Sequence, residues 1–229
     1  MKERPIIFSA DSVKAIIDGR KTQTRRVVKP MLQDGASLAV VLSNGLAKFD
    51  YGNGLYVDDR LCPYGARYNT LWVREKWRIV EWDIGLSYQI EYTDGVILQE
   101  PGDSSEYDFD AYRRLLLQCG KDCNNAGLDV DSEGYYILKD DIVPTRWRSP
   151  IHMPRWASRI TLEITDVRVE RLQDINFRDL QAEAVGIQGE LTKAMEEYIQ
   201  IWDSLNSKRG YPWSNNPWVW VIEFQRVTP

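Results

Sequence analysis

Residues 160–169 read Ile160-Thr161-Leu162-Glu163-Ile164-Thr165-Asp166-Val167-Arg168-Val169. Ile160, Leu162 and Ile164 alternate with polar neighbours, the period of a strand that buries one face. The parity then shifts, because the next apolar residues are Val167 and Val169. An extra residue at Thr165 and Asp166 accounts for the shift, so the stretch predicts a long strand with a bulge at that point. Bulges bend strands, and a bent long strand lets a small sheet curl into a barrel.

On the C-terminal side, Asn176 can cap a helix whose Phe177, Leu180 and Ala184 line one side before Gly186 ends it. A second helix carries Leu191, Met195, Tyr198, Ile199, Trp202 and Leu205 on a stripe and is expected to pack on the sheet. The chain closes with a strand over residues 218–227, with Trp218, Trp220, Ile222 and Phe224 on one face. On the N-terminal side, residues 5–9 read as a strand, and Ser9 or Asp11 caps a helix built on Val13, Ile16 and Ile17. Gly19 stops that helix, and residues 21–29 run extended as far as Pro30. Residues 70–80 read as one strand. Two excursions interrupt this frame. Residues 31–69 are rich in turn signals (Asp34-Gly35, Asn44-Gly45, Gly52-Asn53-Gly54) that suggest short hairpins or loops, and residues 81–145 are loosely patterned, with a helix over 108–119. The expected fold is therefore α+β: a single domain over residues 1–229, made of a small curved β-barrel flanked by helices, with insertions at about 31–69 and 81–145.

Composition excludes several classes. The chain has 229 residues, 43% hydrophobic and 28% charged, with nine tryptophans and twelve tyrosines, so it is neither disordered nor of low complexity. Its longest apolar runs, residues 38–42 and 218–222, are far short of the roughly 18–20 that cross a bilayer, so no membrane partner is expected. The first eight residues lack the apolar centre of a secretion signal, which makes the cytoplasm the expected compartment. Cys62, Cys119 and Cys123 do not form the paired spacing of a zinc site, and His152 is the only histidine. No metal and no cofactor are expected, and acid–base chemistry falls mainly to Lys, Asp, Glu or Tyr.

The net charge of −5 hides segregation. Residues 20–29 hold Arg20, Lys21, Arg25, Arg26 and Lys29 with no acid, and residues 146–159 hold Arg146, Arg148, Arg155 and Arg159 with no acid. Acids gather between residues 94 and 141, inside the second excursion.

The segment Gly19-Arg20-Lys21-Thr22-Gln23-Thr24-Arg25-Arg26 resembles the GxKxxExR signature of the ASCH domain family, part of the PUA-like superfamily. Further similar pieces follow in the family's order: Leu71-Trp72-Val73-Arg74-Glu75-Lys76-Trp77, the strand from Ile160, Ala182-Glu183-Ala184-Val185-Gly186-Ile187, and Trp218-Val219-Trp220-Val221-Ile222-Glu223-Phe224. Together they cover roughly half of the chain. Arg155-Trp156-Ala157-Ser158-Arg159 looks like the form common in tailed phages and prophages, so a phage or prophage protein in a bacterial host cell is implied. Two positions depart from the pattern: Thr24 stands where the signature has glutamate, and Tyr68-Asn69 where Gly-Asp is usual. Thr24 is nevertheless similar to the arrangement of the acetylcytidine amidohydrolases of this family, which carry Lys, then Thr three residues on, then Arg, with a later glutamate. The resemblance implies Lys21, Thr24 and Glu183 as catalytic residues.

Amide hydrolysis requires a nucleophile, a base and a proton donor. An amine at Lys21, crowded by Arg26, would take the Thr24 proton, with Glu183 as shuttle. Side chains three apart on a strand point to opposite faces, so Lys21 and Thr24 meet only where the Gly19 corner distorts the strand. The rival reading has Lys21, Arg25 and Arg26 gripping phosphates or a carboxylate. Trp147 and Trp156, interleaved with Arg146, Arg148, Arg155 and Arg159, suit base stacking. The candidate binding residues are thus Arg25, Arg26, Glu75, Trp147, Arg155 and Trp156. The expected partners are RNA, single-stranded nucleic acid or a modified nucleoside, with hydrolysis of an acylated base in view. The alternatives are a non-catalytic phage protein that binds a host protein through its acidic insertion, and a nuclease.

Overall fold

The computed structural model describes residues 3–32, 35–52, 56–82, 88–100, 109–137, 144–184 and 191–227. It is mixed α+β, and the chain divides into two compact units, residues 1–73 with 158–229 and residues 74–157.

The first unit is built on a five-stranded sheet in the order β1 (Glu3–Ile7), β6 (Thr70–Arg74), β10 (Thr161–Arg171), β11 (Trp218–Val227), β2 (Gln23–Val27). The long hairpin of β10 and β11 forms its spine, and the register slips between Ile164 and Asp166, where the parity of the apolar residues required a bulge. The slip puts Ile160, Leu162 and Ile164 in one buried cluster with Val169, while Trp220, Ile222 and Phe224 of β11 complete it. Between β1 and β2 runs α1 (Ala10–Ile17), capped by the Ser9 hydroxyl, and Gly19 reverses the chain at φ 73°.

Closure into a barrel does not occur by backbone pairing: among the described residues β1 and β2 are the unpaired edges of the sheet. A side chain spans the gap instead. Arg26 Nη2 donates to the Ile7 carbonyl at 2.7 Å, and its guanidinium lies 5.2 Å from the ring centre of Phe8.

The first excursion belongs to the core. It forms a second sheet, β3 (Ser37–Val41), β4 (Leu46–Asp50) and β5 (Tyr56–Leu61), and Ala47, Phe49 and Cys62 are buried in the main cluster. Asn44-Gly45 makes the β3–β4 turn, whereas Asp34 and Asn53-Gly54 lie outside the described residues. Gly45 has φ 80°, and a Cβ there would meet the Gly65 carbonyl oxygen at 2.8 Å. Gly45→Ala therefore combines a left-handed backbone with a backbone clash. It is expected to lower stability by about 1–2 kcal/mol, read as a shift of the denaturant midpoint.

Two helices cover the far side of β2 and β11. The first is α3 (Phe177–Ala182), held by a reciprocal capping box between Asn176 and Asp179. It ends at Glu183, followed by Ala184 at φ 62°, ahead of the expected stop at Gly186, which lies outside the described residues. The second is α4 (Leu191–Asn206), which buries Ala194, Tyr198 and Trp202 against Leu180, Val219 and Val221. Leu191 and Leu205, the ends of the expected stripe, are exposed.

The second unit contains the sheet β7 (Trp77–Trp82), β8 (Tyr88–Tyr92), β9 (Ile97–Glu100) and the helix α2 (Phe109–Asn125). Trp77, Ile79, Ile90, Tyr92, Leu115, Cys119, Met153 and Ala157 form its own core. Its bounds are wider than the expected 81–145, and the strand expected over 70–80 is two strands in different sheets. The break falls at Glu75 and Lys76, so Trp72 and Trp77 are not opposite faces of one strand. The helix α2 outruns the expected 108–119, and Cys119 and Cys123 stand one turn apart on it, buried as free thiols. Burial pushes Cys62 up to about 11 and Cys119 up to about 12.

Candidate functional site

Lys21 and Glu183 meet in the first unit. The Lys21 ammonium donates to Glu183 Oε2 at 2.5 Å and to the Glu183 carbonyl at 3.0 Å, across 162 positions of sequence. Local structure explains the meeting. The chain leaves the Gly19 corner with the Thr22 N–H bonded to the Ala182 carbonyl at 2.9 Å, which brings Lys21 to the C-terminal end of α3. A cation is favoured there by the unpaired helix carbonyls and by the carboxylate. The second carboxylate oxygen, Glu183 Oε1, lies 3.5 Å from Arg25 Nη1 and accepts no hydrogen bond among the described residues.

Around this pair the side chains on one face of β2 form a buried ionic network. Arg25 Nη2 reaches Glu170 at 2.6 Å and Asp179 at 3.1 Å, while Arg25 Nη1 donates to Gln23 at 2.5 Å. Gln23 in turn donates to Asp179 at 3.1 Å and to Glu223 at 3.3 Å, and Arg168 joins Asp179, Glu170 and Glu223. Burial pushes the Asp179 carboxyl upward, but the Gln23 hydrogen bond, the Arg25 charge, the Asn176 amide and the Arg168 charge outweigh it and leave the group below its ordinary range. Burial, and then the Glu183 charge, hold the Tyr198 phenol well above its ordinary value, so it persists as a neutral O–H.

Several expected site residues stand elsewhere. Thr24 pairs with Ile222, whose side chain lies in the main cluster, whereas Arg25 pairs with Val221 on the helix-covered side. The β2–β11 ladder is unbroken from Gln23 to Val27, so no distortion turns Thr24 back toward Lys21. Among the described residues no hydrogen bond links Thr24 to Lys21 or Glu183. Arg26 shares the face of Thr24, so the neighbour crowding Lys21 is a carboxylate and not Arg26. Arg25 cannot grip a phosphate, because its side chain is 0% exposed and its two Nη groups are committed to Gln23, Glu170 and Asp179. The missed members are Gln23, Glu170, Asp179 and Arg168. One signal was available, because residues 21, 23 and 25 share a parity that excludes 24.

The second unit carries the other candidates. Glu75 is buried, and its amide donates to Met153 Sδ at 3.4 Å. Trp147 and Trp156 line a cavity of about 670 Å³ together with Trp77, Arg114, Arg146 and Arg148, and Arg155 is exposed and outside that lining. The acids of residues 103–108 and 140–141 lie outside the described residues. Among the described residues no cluster of His, Cys, Asp and Glu is placed to hold a metal ion, and no helix is long and apolar enough to cross a membrane. No family model, no curated protein and no solved structure matches the chain.

Proposed function

We propose that the first unit is a PUA-like, ASCH-type domain that recognises an unpaired base, in RNA, in another single strand or as a modified nucleoside. One observation carries this reading: Lys21 and Glu183, which the family resemblance singles out, meet at 2.5 Å from opposite ends of the sequence. An ammonium beside a carboxylate offers donors next to acceptors, the complement of a Watson–Crick edge with an amino group and a ring acceptor. Cytosine has such an edge. Glu183 Oε1, buried and without a hydrogen-bond donor among the described residues, is the acceptor such an amino group would satisfy. Equilibrium binding of cytidine and uridine is the direct test. Cytidine is expected to bind more tightly, and Glu183→Gln, which keeps the shape and removes the charge, to weaken it about tenfold. Equal affinity of parent and Glu183→Gln for cytidine would remove the site.

A second reading, hydrolysis of an acylated base, draws on the same meeting of Lys21 and Glu183. With Thr24 on the other face, the attacking group is water whose proton passes to Glu183, while the amide C–N bond breaks and the leaving nitrogen takes up a proton. Acetate release from N4-acetylcytidine that survives Thr24→Val and disappears in Glu183→Gln supports this route. Absence of turnover in the parent protein rejects it.

A further inference from the structure

We propose that the cavity of the second unit binds the base-plus-phosphate unit of a nucleotide, free or within a single strand. This site is separate from the Lys21–Glu183 pair and does not depend on the reading of that pair.

The lining argues for the ligand. Arg114, Arg146, Arg148 and His152 contribute to it, with Trp77, Trp147 and Trp156, and among the described residues no carboxylate lines it. Cationic forks select a phosphate, and indole rings select the flat face of a base. The volume of about 670 Å³ falls within the range of sites that enclose a small organic ligand.

Two features suggest preorganisation. Asp122, buried behind the lining, holds Arg148 Nη2 at 2.8 Å and Arg146 Nε at 3.4 Å, so one carboxylate anchors both arginines. Trp77 is 2% exposed, and among the described residues its indole Nε1–H has no acceptor, nor has the Arg148 Nε–H. Buried donors without acceptors are costly, and a phosphate or base carbonyl would satisfy them. The rings divide the work. Trp147 carries the Arg78 guanidinium 4.8 Å from its centre, and the half-buried Trp156 packs edge-to-face on Trp77 at 5.9 Å, a contact that fixes the plane of its ring for stacking on a base.

Calorimetry on the full chain with adenosine 5′-monophosphate, adenosine, inorganic phosphate and a six-nucleotide oligoadenylate tests the proposal. The nucleotide is expected to bind at least tenfold more tightly than adenosine or phosphate. Arg146→Gln alters a side chain that is 71% exposed and so leaves the fold intact; it should weaken the nucleotide several-fold and flatten its salt dependence. Trp156→Leu should weaken the nucleotide about tenfold and leave inorganic phosphate unchanged. Tighter binding of the oligomer identifies a strand as the source, and preference for the mononucleotide identifies a free nucleotide. Equal affinity for adenosine and the nucleotide overturns the proposal, as does parental affinity in both variants.

Discussion

Arg25→Met is expected to cost the first unit about 3–5 kcal/mol, a large share of the roughly 5–15 kcal/mol that stabilises an ordinary domain. The guanidinium is fully buried between Glu170, Asp179 and Glu183. Methionine fills much of the same volume but leaves Glu170, Asp179, Glu183 and Glu223 to share Lys21 and Arg168, and excess buried charge is far more costly than a balanced network is favourable. Denaturant unfolding measures the loss, and an unchanged midpoint would show that solvent already screens the network. The acid limb adds a second readout. The Asp179 carboxyl is held below its ordinary value of 3.8 by the Gln23 hydrogen bond and then by Arg25, so its contribution is complete above that value. It is lost as pH falls through the lower folded value. Without Arg25 the depression shrinks, and acid unfolding of the variant should begin at higher pH than in the parent.

Asp122→Ala is expected to have a comparable effect on the second unit. The carboxylate is 3% exposed and pairs with Arg148, itself 10% exposed, which also exchanges backbone hydrogen bonds with Trp77. Removing the acid leaves a desolvated guanidinium against the Trp77 ring, whose centre is 5.7 Å away, at a cost of about 3–5 kcal/mol. Amide exchange localises the damage: protection should fall across α2 and β7, while the Arg25 variant should lose it across β2, β10 and α3. Uniform loss over the whole chain in both variants would contradict these assignments.

The elements legible in the sequence were those whose apolar period is written in a few adjacent residues. Ile164 followed by Val167 announced the bulge, Trp218 to Phe224 announced the closing strand, and Ser9 and Asn176 marked helix starts that the structure uses as caps. The turn signals of residues 31–69 suggested short hairpins, as β3, β4 and β5 form, but nothing local showed that Phe49 and Ala47 would pack into the main core. Residues 70–80 appeared continuous because Arg74, Glu75 and Lys76 keep a strand's length, although they mark the change from one sheet to another. In the site, the resemblance placed Lys21 with Glu183, whereas Asp179 and Glu170 had no local pattern to reveal their contact with Arg25. Asp122 was missed for the same reason, since its arginines lie beyond the end of its helix.

Each cation of residues 20–29 has a partner within the molecule, and Lys21 and Arg25 are buried outright. Arg20 faces Asp18, Lys21 faces Glu183, Arg25 is enclosed by acids, Arg26 clasps a carbonyl, and Lys29 rests 5.4 Å from the Tyr211 ring centre. A polyanion drifting toward this face meets little of the attraction that the linear charge pattern advertises. Long-range steering by this run is consequently weaker than its five cations suggest.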